Sequence, residues 1–143
     1  MPIEVFFDTS VLIAASDAAH PHHLRSRPLL AAATPAQAAC GAHTLAEVYA
    51  VLSRLPGGRK VRPQFADRLL EQIVTRMTVV PLGAEEYGTT IHAAARMGLA
   101  GGIIFDAVLL ACARKVDAQR IYTWNERHFR LVAPDLSDRI TTP

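Results

Sequence analysis

Cysteine is scarce in this chain, with two among 143 residues, Cys40 and Cys112. Both lie in apolar segments without C-x-x-C or Cys/His spacing, which argues against a disulfide framework or a zinc site and points to reduced core thiols. Aromatic residues make up 6% of the chain against 50% hydrophobic residues in total, so the core has to be chiefly aliphatic. No run of about 18 apolar residues occurs and no basic-then-apolar leader, so neither a membrane span nor a signal peptide is expected, and the chain is read as cytoplasmic. Neither G-x-x-x-x-G-K-S/T nor G-x-G-x-x-G is present, which weighs against a nucleotide-binding enzyme. Internal repeats and low-complexity segments are absent as well. Excess charge is small: the formal net charge is +2 and the pI about 8.8, compatible with a nucleic-acid partner without requiring one. The length bounds the answer to a single domain, residues 1–143, large enough to bury a genuine core.

What is present is an apolar run with one carboxylate inside it, Ile103-Ile104-Phe105-Asp106-Ala107-Val108-Leu109-Leu110-Ala111-Cys112-Ala113. With no other polar group it cannot form an amphipathic stripe, so a central helix buried on every side is expected. A carboxylate in such surroundings needs a partner, because an isolated buried charge is too costly to keep ionised. Gly101-Gly102 upstream sets the helix start near Ile104 and places Asp106 in the first turn. There it can satisfy free N–H groups or meet other carboxylates around a cation.

In chain order, Ile3 to Phe7 predicts a short strand, and Asp8-Thr9-Ser10 opens a helix over about 9–19 that carries Val11, Leu12 and Ile13 into the core. His20-Pro21-His22-His23 reads as a solvated turn and not a metal site, since no further ligand has suitable spacing. A helix over about 22–33 containing Pro28 comes next, then a buried strand over 38–42. Leu45, Val48, Tyr49, Val51, Leu52 and Leu55 recur at helical spacing over 45–55. Thr44-Leu45-Ala46-Glu47 matches a capping box, which gives Glu47 a purely structural reading. Pro56-Gly57-Gly58-Arg59-Lys60-Val61-Arg62-Pro63 is a basic surface loop. A helix over 65–76, a strand over 77–82 and a helix over 84–97 lead to the Asp106 helix. A strand over 120–123, a turn over 124–129 into a short helix, and a last strand near 139–142 complete the chain. This alternation predicts an α/β three-layer sandwich, a short, mostly parallel central sheet flanked by helices.

In such sheets ligands bind beyond the carboxyl ends of the strands, where strand order reverses. Asp8 ends the first strand, Glu47 sits in the first turn after the second, Asn125 lies just beyond the fourth, and Asp106 can join them from its helix start. Each acid alone has an adequate reading as a cap or first-turn anion. Three carboxylates on one edge, however, repel unless protonated or bridged by a cation, and oxygen-only ligands suit Mg²⁺ or Mn²⁺.

These residues carry a resemblance spanning nearly the whole chain. Phe7-Asp8-Thr9-Ser10-Val11-Leu12, Thr44-Leu45-Ala46-Glu47-Val48, Phe105-Asp106-Ala107 and Thr123-Trp124-Asn125 with Phe129 resemble, in order and separation, the PIN-domain ribonucleases, most closely the VapC-like toxins of toxin-antitoxin pairs. The resemblance implies that Asp8, Glu47 and Asp106 bind Mg²⁺ or Mn²⁺, that Ser10 and Thr123 support them by hydrogen bonds, and that the activity is RNA cleavage by a metal-activated water. Asn125 stands where many members carry an acid, keeping a carbonyl oxygen but losing the charge. The same resemblance implies a small cognate antitoxin and a homodimer, with an apolar groove between the first two helices and the Glu47 helix to receive a partner. Arg25, Arg27, Arg54, Arg59, Lys60, Arg62 and Arg127 are the candidates for holding RNA phosphates. Ser10 stands where a haloacid-dehalogenase-like phosphatase needs a second Asp. The remaining rival is a non-catalytic nucleic-acid or protein-binding module on the same fold.

Overall fold

The computed structural model describes residues 2–143. Strand β1 (Val5–Phe7) leads into α1 (Thr9–Ser16) and α2 (His23–Ala32), then β2 (Ala38–Gly41), α3 (Ala42–Leu52) and α4 (Pro63–Arg76). Next come β3 (Thr78–Val80), α5 (Ala84–Arg96), α6 (Ile103–Lys115), β4 (Arg120–Tyr122), α7 (Glu126–Val132), a 3₁₀ turn (Pro134–Arg139) and β5 (Ile140–Thr141). The strands form one sheet in the order β3-β2-β1-β4-β5, and every pairing is parallel.

Strand periodicity explains the layers. Successive side chains point to opposite faces, so Phe6 and Ala39 enter one core with Leu109, Leu110 and Phe129. Phe7, Ala38 and Cys40 enter the other with Val11, Leu12, Val48, Leu52 and Ile73. Helices α1 to α4 cover this second face, while α6 and α7 cover the first. Both cysteines are buried thiols. Burial pushes Cys40 up to about 12 and Cys112 up to about 11, so neither is a reactive nucleophile at neutral pH.

The chain runs outward from β1 through β2 to β3, then returns to β4 and β5 on the other side. Strand order therefore reverses between β1 and β4, the crevice where α/β sheets place ligands. The residues that follow these two strands are Asp8 and Thr123.

Three local expectations are corrected. The helix after β2 starts at Ala42 with Gly41 as its N-cap, so Thr44-Leu45-Ala46-Glu47 is not a capping box and Glu47 stands in the second turn. The chain passes directly from β2 into α3 through the extended Gly41, and a Cβ on Gly41 would come within 2.7 Å of Leu109 Cδ2 on α6, so this strand end packs tightly against that helix. The first turn of α6 is not buried on every side, since Phe105 is 47% exposed and Asp106 only half-buried. Val11, Leu12, Val48 and Leu52 of α1 and α3 go into the core, and the larger exposed apolar residues left on α2 and α3 are Leu24 and Tyr49. An open apolar groove of about 640 Å³ lies instead between α5 and α6, lined by Leu82, Ala93, Ala94, Met97, Leu110 and Val132. Among the described residues, no helix is long and apolar enough to cross a membrane.

Leu109 is 1% exposed and joins α6 to β2 across Gly41. Leu109→Ala is expected to lower unfolding free energy by about 2–5 kcal/mol, read as a lower urea midpoint with an unchanged slope.

Candidate active site

Asp8 follows β1 and precedes α1. Its side chain is buried, and burial raises its pKa despite four opposing contacts, from the Ser10 and Thr123 hydroxyls and the amides of Ser10 and Thr9. Ser10 Oγ donates to Asp8 Oδ2 at 2.7 Å and Thr123 Oγ1 donates to the same oxygen at 2.8 Å. Each hydroxyl then accepts from the backbone beyond β4. Trp124 N–H donates to Ser10 Oγ at 3.0 Å, and Asn125 N–H to Thr123 Oγ1 at 2.9 Å. With one proton apiece committed to the carboxylate, both hydroxyls are fixed donors. Asp8 Oδ2 is saturated, and the carboxylate is set in one orientation.

Glu47 is reached from the same start of α1. Thr9 Oγ1 donates to Glu47 Oε1 at 3.0 Å and lies 2.9 Å from Thr44 Oγ1. The single Thr9 proton goes to the carboxylate, so Thr44 is the donor in the second bond. Thr9 and Thr44 are both buried. They are the supporting residues that sequence reading missed, and the signal available was that each neighbours a candidate acid, one directly after Asp8 and the other one helical turn before Glu47. His43 Nε2 lies 3.9 Å from Glu47 Oε1.

Asp106 stands in the first turn of α6. Its pKa is pushed up to about 6, first by burial and next by the charge of Asp8, with Glu47 adding a smaller push and His128 opposing. The acids therefore share one electrostatic field at the carboxyl end of the sheet. They do not close on one point: among the described residues, no three His, Cys, Asp or Glu side chains form a ready ligand cluster. Oxygen donors that share a field and repel one another fit a hard divalent cation, which needs only one or two carboxylates and keeps several waters.

Asn125 is the N-cap residue of α7, where its side chain makes no capping hydrogen bond. It is exposed and tied to the site through its backbone and Thr123. Among the basic candidates, Arg59 is committed elsewhere, since its guanidinium pairs with the buried carboxylate of Asp17. The loop after α3 is thereby fastened to the end of α1. Arg25, Arg27, Arg54, Lys60, Arg62 and Arg127 are exposed. The histidine turn between α1 and α2 lies at the surface, as expected, and two of its rings also make side-chain contacts. The His22 ring stacks on Trp124 at 3.7 Å between centroids, and His23 Nδ1 lies 2.8 Å from Ala14 O.

The PIN domain profile matches residues 5–133. No curated protein matches. Among solved structures, the chain is similar to VapC20 of Mycobacterium tuberculosis, a sarcin-ricin loop cleaving toxin, with a TM-score of 0.71 and 21% identity over 87% of this chain and 92% of that one. It is also similar to VapBC2 of Rickettsia felis bound to a DNA fragment from their promoter, with a TM-score of 0.59 and 19% identity over 90% and 93% of the two chains. At these identities the likeness is one of fold.

A carboxyl whose folded pKa is raised favours the fold below its unfolded pKa, and that contribution is lost as pH rises through the folded value. For Asp106 the window runs from about pH 4 to about 6. In EDTA, Asp106→Asn is expected to melt like the parent at the acid end of this window and above it at neutral pH. Melting curves across the range check this, and a parent as stable as the variant at neutral pH would contradict it.

Proposed function

The chain belongs to the PIN domain family, and from that premise we propose that it is a metal-dependent endoribonuclease, the toxin of a toxin-antitoxin pair. The observation that carries this reading is the hydroxyl-supported acid set at the β1/β4 crevice: Asp8 held by Ser10 and Thr123, Glu47 held by Thr9, and Asp106 under the charge of both. RNA as substrate class is carried over from the activity described for VapC20.

Asp8, Glu47 and Asp106 would hold Mg²⁺ or Mn²⁺, which when bound lowers the pKa of a coordinated water and offsets charge on the phosphate. The chain's own residues prepare for this. Ser10 and Thr123 present protons to Asp8, which favours its ionised form, and Thr9 presents one to Glu47, which fixes the orientation of that carboxylate. Asn125 offers a neutral oxygen at the rim. Exposed Arg25, Arg27, Lys60 and Arg127 are the phosphate contacts in this reading, while Arg59 acts by anchoring its loop through Asp17. The apolar groove between α5 and α6 supports protein partners, in this reading the antitoxin and a second copy of the chain.

Asp8→Asn, Glu47→Gln and Asp106→Asn are each expected to nearly abolish metal-dependent RNA cleavage while the protein stays folded. Glu47 is no helix cap, and a glutamine oxygen still accepts from Thr9, so a folded, inactive Glu47→Gln separates chemistry from architecture. A cation bound only by the folded state adds about 2.7 kcal/mol at a hundredfold excess over Kd, or several degrees of melting temperature at roughly 3–6 °C per kcal/mol. The parent should show this rise with Mn²⁺ and Asp106→Asn should lose most of it. Three variants that cut RNA like the parent, with contaminating nuclease excluded, would leave a binding module as the better reading.

Asn125→Asp restores a charged oxygen next to Thr123, and hard cations prefer charged oxygens. Calorimetric titration is expected to show tighter metal binding, and cleavage should reach half its maximum at lower metal concentration. Unchanged affinity would place Asn125 outside the ligand shell.

A further inference from the structure

Two histidine rings stack on aromatic side chains near the acids, and they differ in what they leave open. His22 on Trp124 is an internal clamp. His22 has a second ring neighbour in His20, at 5.7 Å, and the Trp124 indole N–H donates to Ser26 Oγ at 2.9 Å, so the pair fastens α2 to the segment after β4. The other pair is Phe105 on His43, with centroids 5.0 Å apart and planes within 6°. One face of Phe105 is taken by His43, yet 47% of the residue remains exposed.

Single exposed apolar residues are ordinary. Three features set Phe105 apart. It directly precedes Asp106, its stacking partner reaches toward Glu47 Oε1 at 3.9 Å, and its ring lies parallel to the His43 ring. A flat ring held beside the acids, with one side open, suits an unpaired nucleobase. Single-stranded RNA is recognised largely by stacking unpaired bases on aromatic side chains, in a sequence-tolerant way because every base has a π face.

We propose that Phe105, backed by His43, is a nucleobase-stacking subsite that seats an unpaired base of single-stranded RNA next to the acids. The proposal rests on the ribonuclease reading for its substrate class, and its test does not use cleavage. The probe is a fluorescent short single-stranded oligoadenylate, bound to the parent protein in EDTA, beside a sugar-phosphate strand of equal length in which every base is replaced by an abasic site. Phe105→Ala is expected to weaken oligoadenylate binding by about 5- to 100-fold and to leave abasic-strand binding unchanged. Phe105→Trp should restore affinity. Phe105→Leu keeps an apolar side chain of similar reach and serves if the alanine variant fails to fold. It should lose oligoadenylate affinity at an unchanged melting temperature.

Equal losses on both strands, no loss on either, or a parent that does not bind oligoadenylate would each overturn the proposal. So would Phe105 variants that change the oligomeric mass while oligoadenylate affinity holds, because the ring would then be a protein contact. Metal-dependent cleavage by the parent is scored separately. Its absence alongside the expected binding pattern would remove the nuclease reading and leave the stacking subsite standing.

Discussion

A buried carboxyl at the end of the first strand, Asp8, is the constraint on which the site depends. Asp8 is 3% exposed, and an ionised carboxylate so placed needs hydrogen bonds in place of water. Its donors come from both ends of the chain, Ser10 two residues on and Thr123 separated by 115 positions. The bonds to Asp8 can form only if β4 lies beside β1, which the parallel register Phe7 to Tyr122 provides. That pairing is also where strand order reverses. The interaction that makes Asp8 tolerable and the topology that opens a crevice are thus the same event in folding.

A second network repeats the device. Thr9 and Thr44, both buried, pass their protons toward Glu47, and this ties α1 to α3 as Ser10 and Thr123 tie α1 to β4. The two networks start from adjacent residues, so the opening turn of α1 is the hub. Asp8 is also the N-cap residue of α1, with its Oδ2 turned to the Ser10 and Thr123 hydroxyls and the Ser10 and Thr9 amides close to its carboxylate.

Much of this was legible in the sequence. Alternating strands and helices gave the parallel sandwich, and Asp8 and Asn125 follow β1 and β4, with Glu47 and Asp106 on the helices α3 and α6. What was not legible depended on contacts distant in sequence. The capping-box match at Thr44 was locally sound, but α3 follows β2 without a break and starts at Ala42 with Gly41 as N-cap, so the match falls inside the helix. Arg59 looked like one more basic residue in a glycine loop, since its partner Asp17 lies 42 positions away. The eleven-residue apolar run implied complete burial because composition cannot show that a helix end emerges from the layer. Phe105 emerges there, beside the acid it precedes.

The three acids divide their work unequally. Asp8 and Glu47 are held by hydroxyl donors, so their geometry is set when the chain folds. Asp106 is held by neither network and is the acid whose pKa is pushed up to about 6 by burial and by the charge of the other acids. Electrostatic tension is thereby concentrated on the one acid free of that bonding. In the proposed metal-dependent reading, a cation held beside Asp106 would offset this repulsion while Asp8 and Glu47 keep their hydroxyl donors. Two acids are thus held by hydroxyl donors and the third is held chiefly by its position in the first turn of α6. That arrangement also explains how the acids can be close enough to feel one another without forming a closed cluster beforehand.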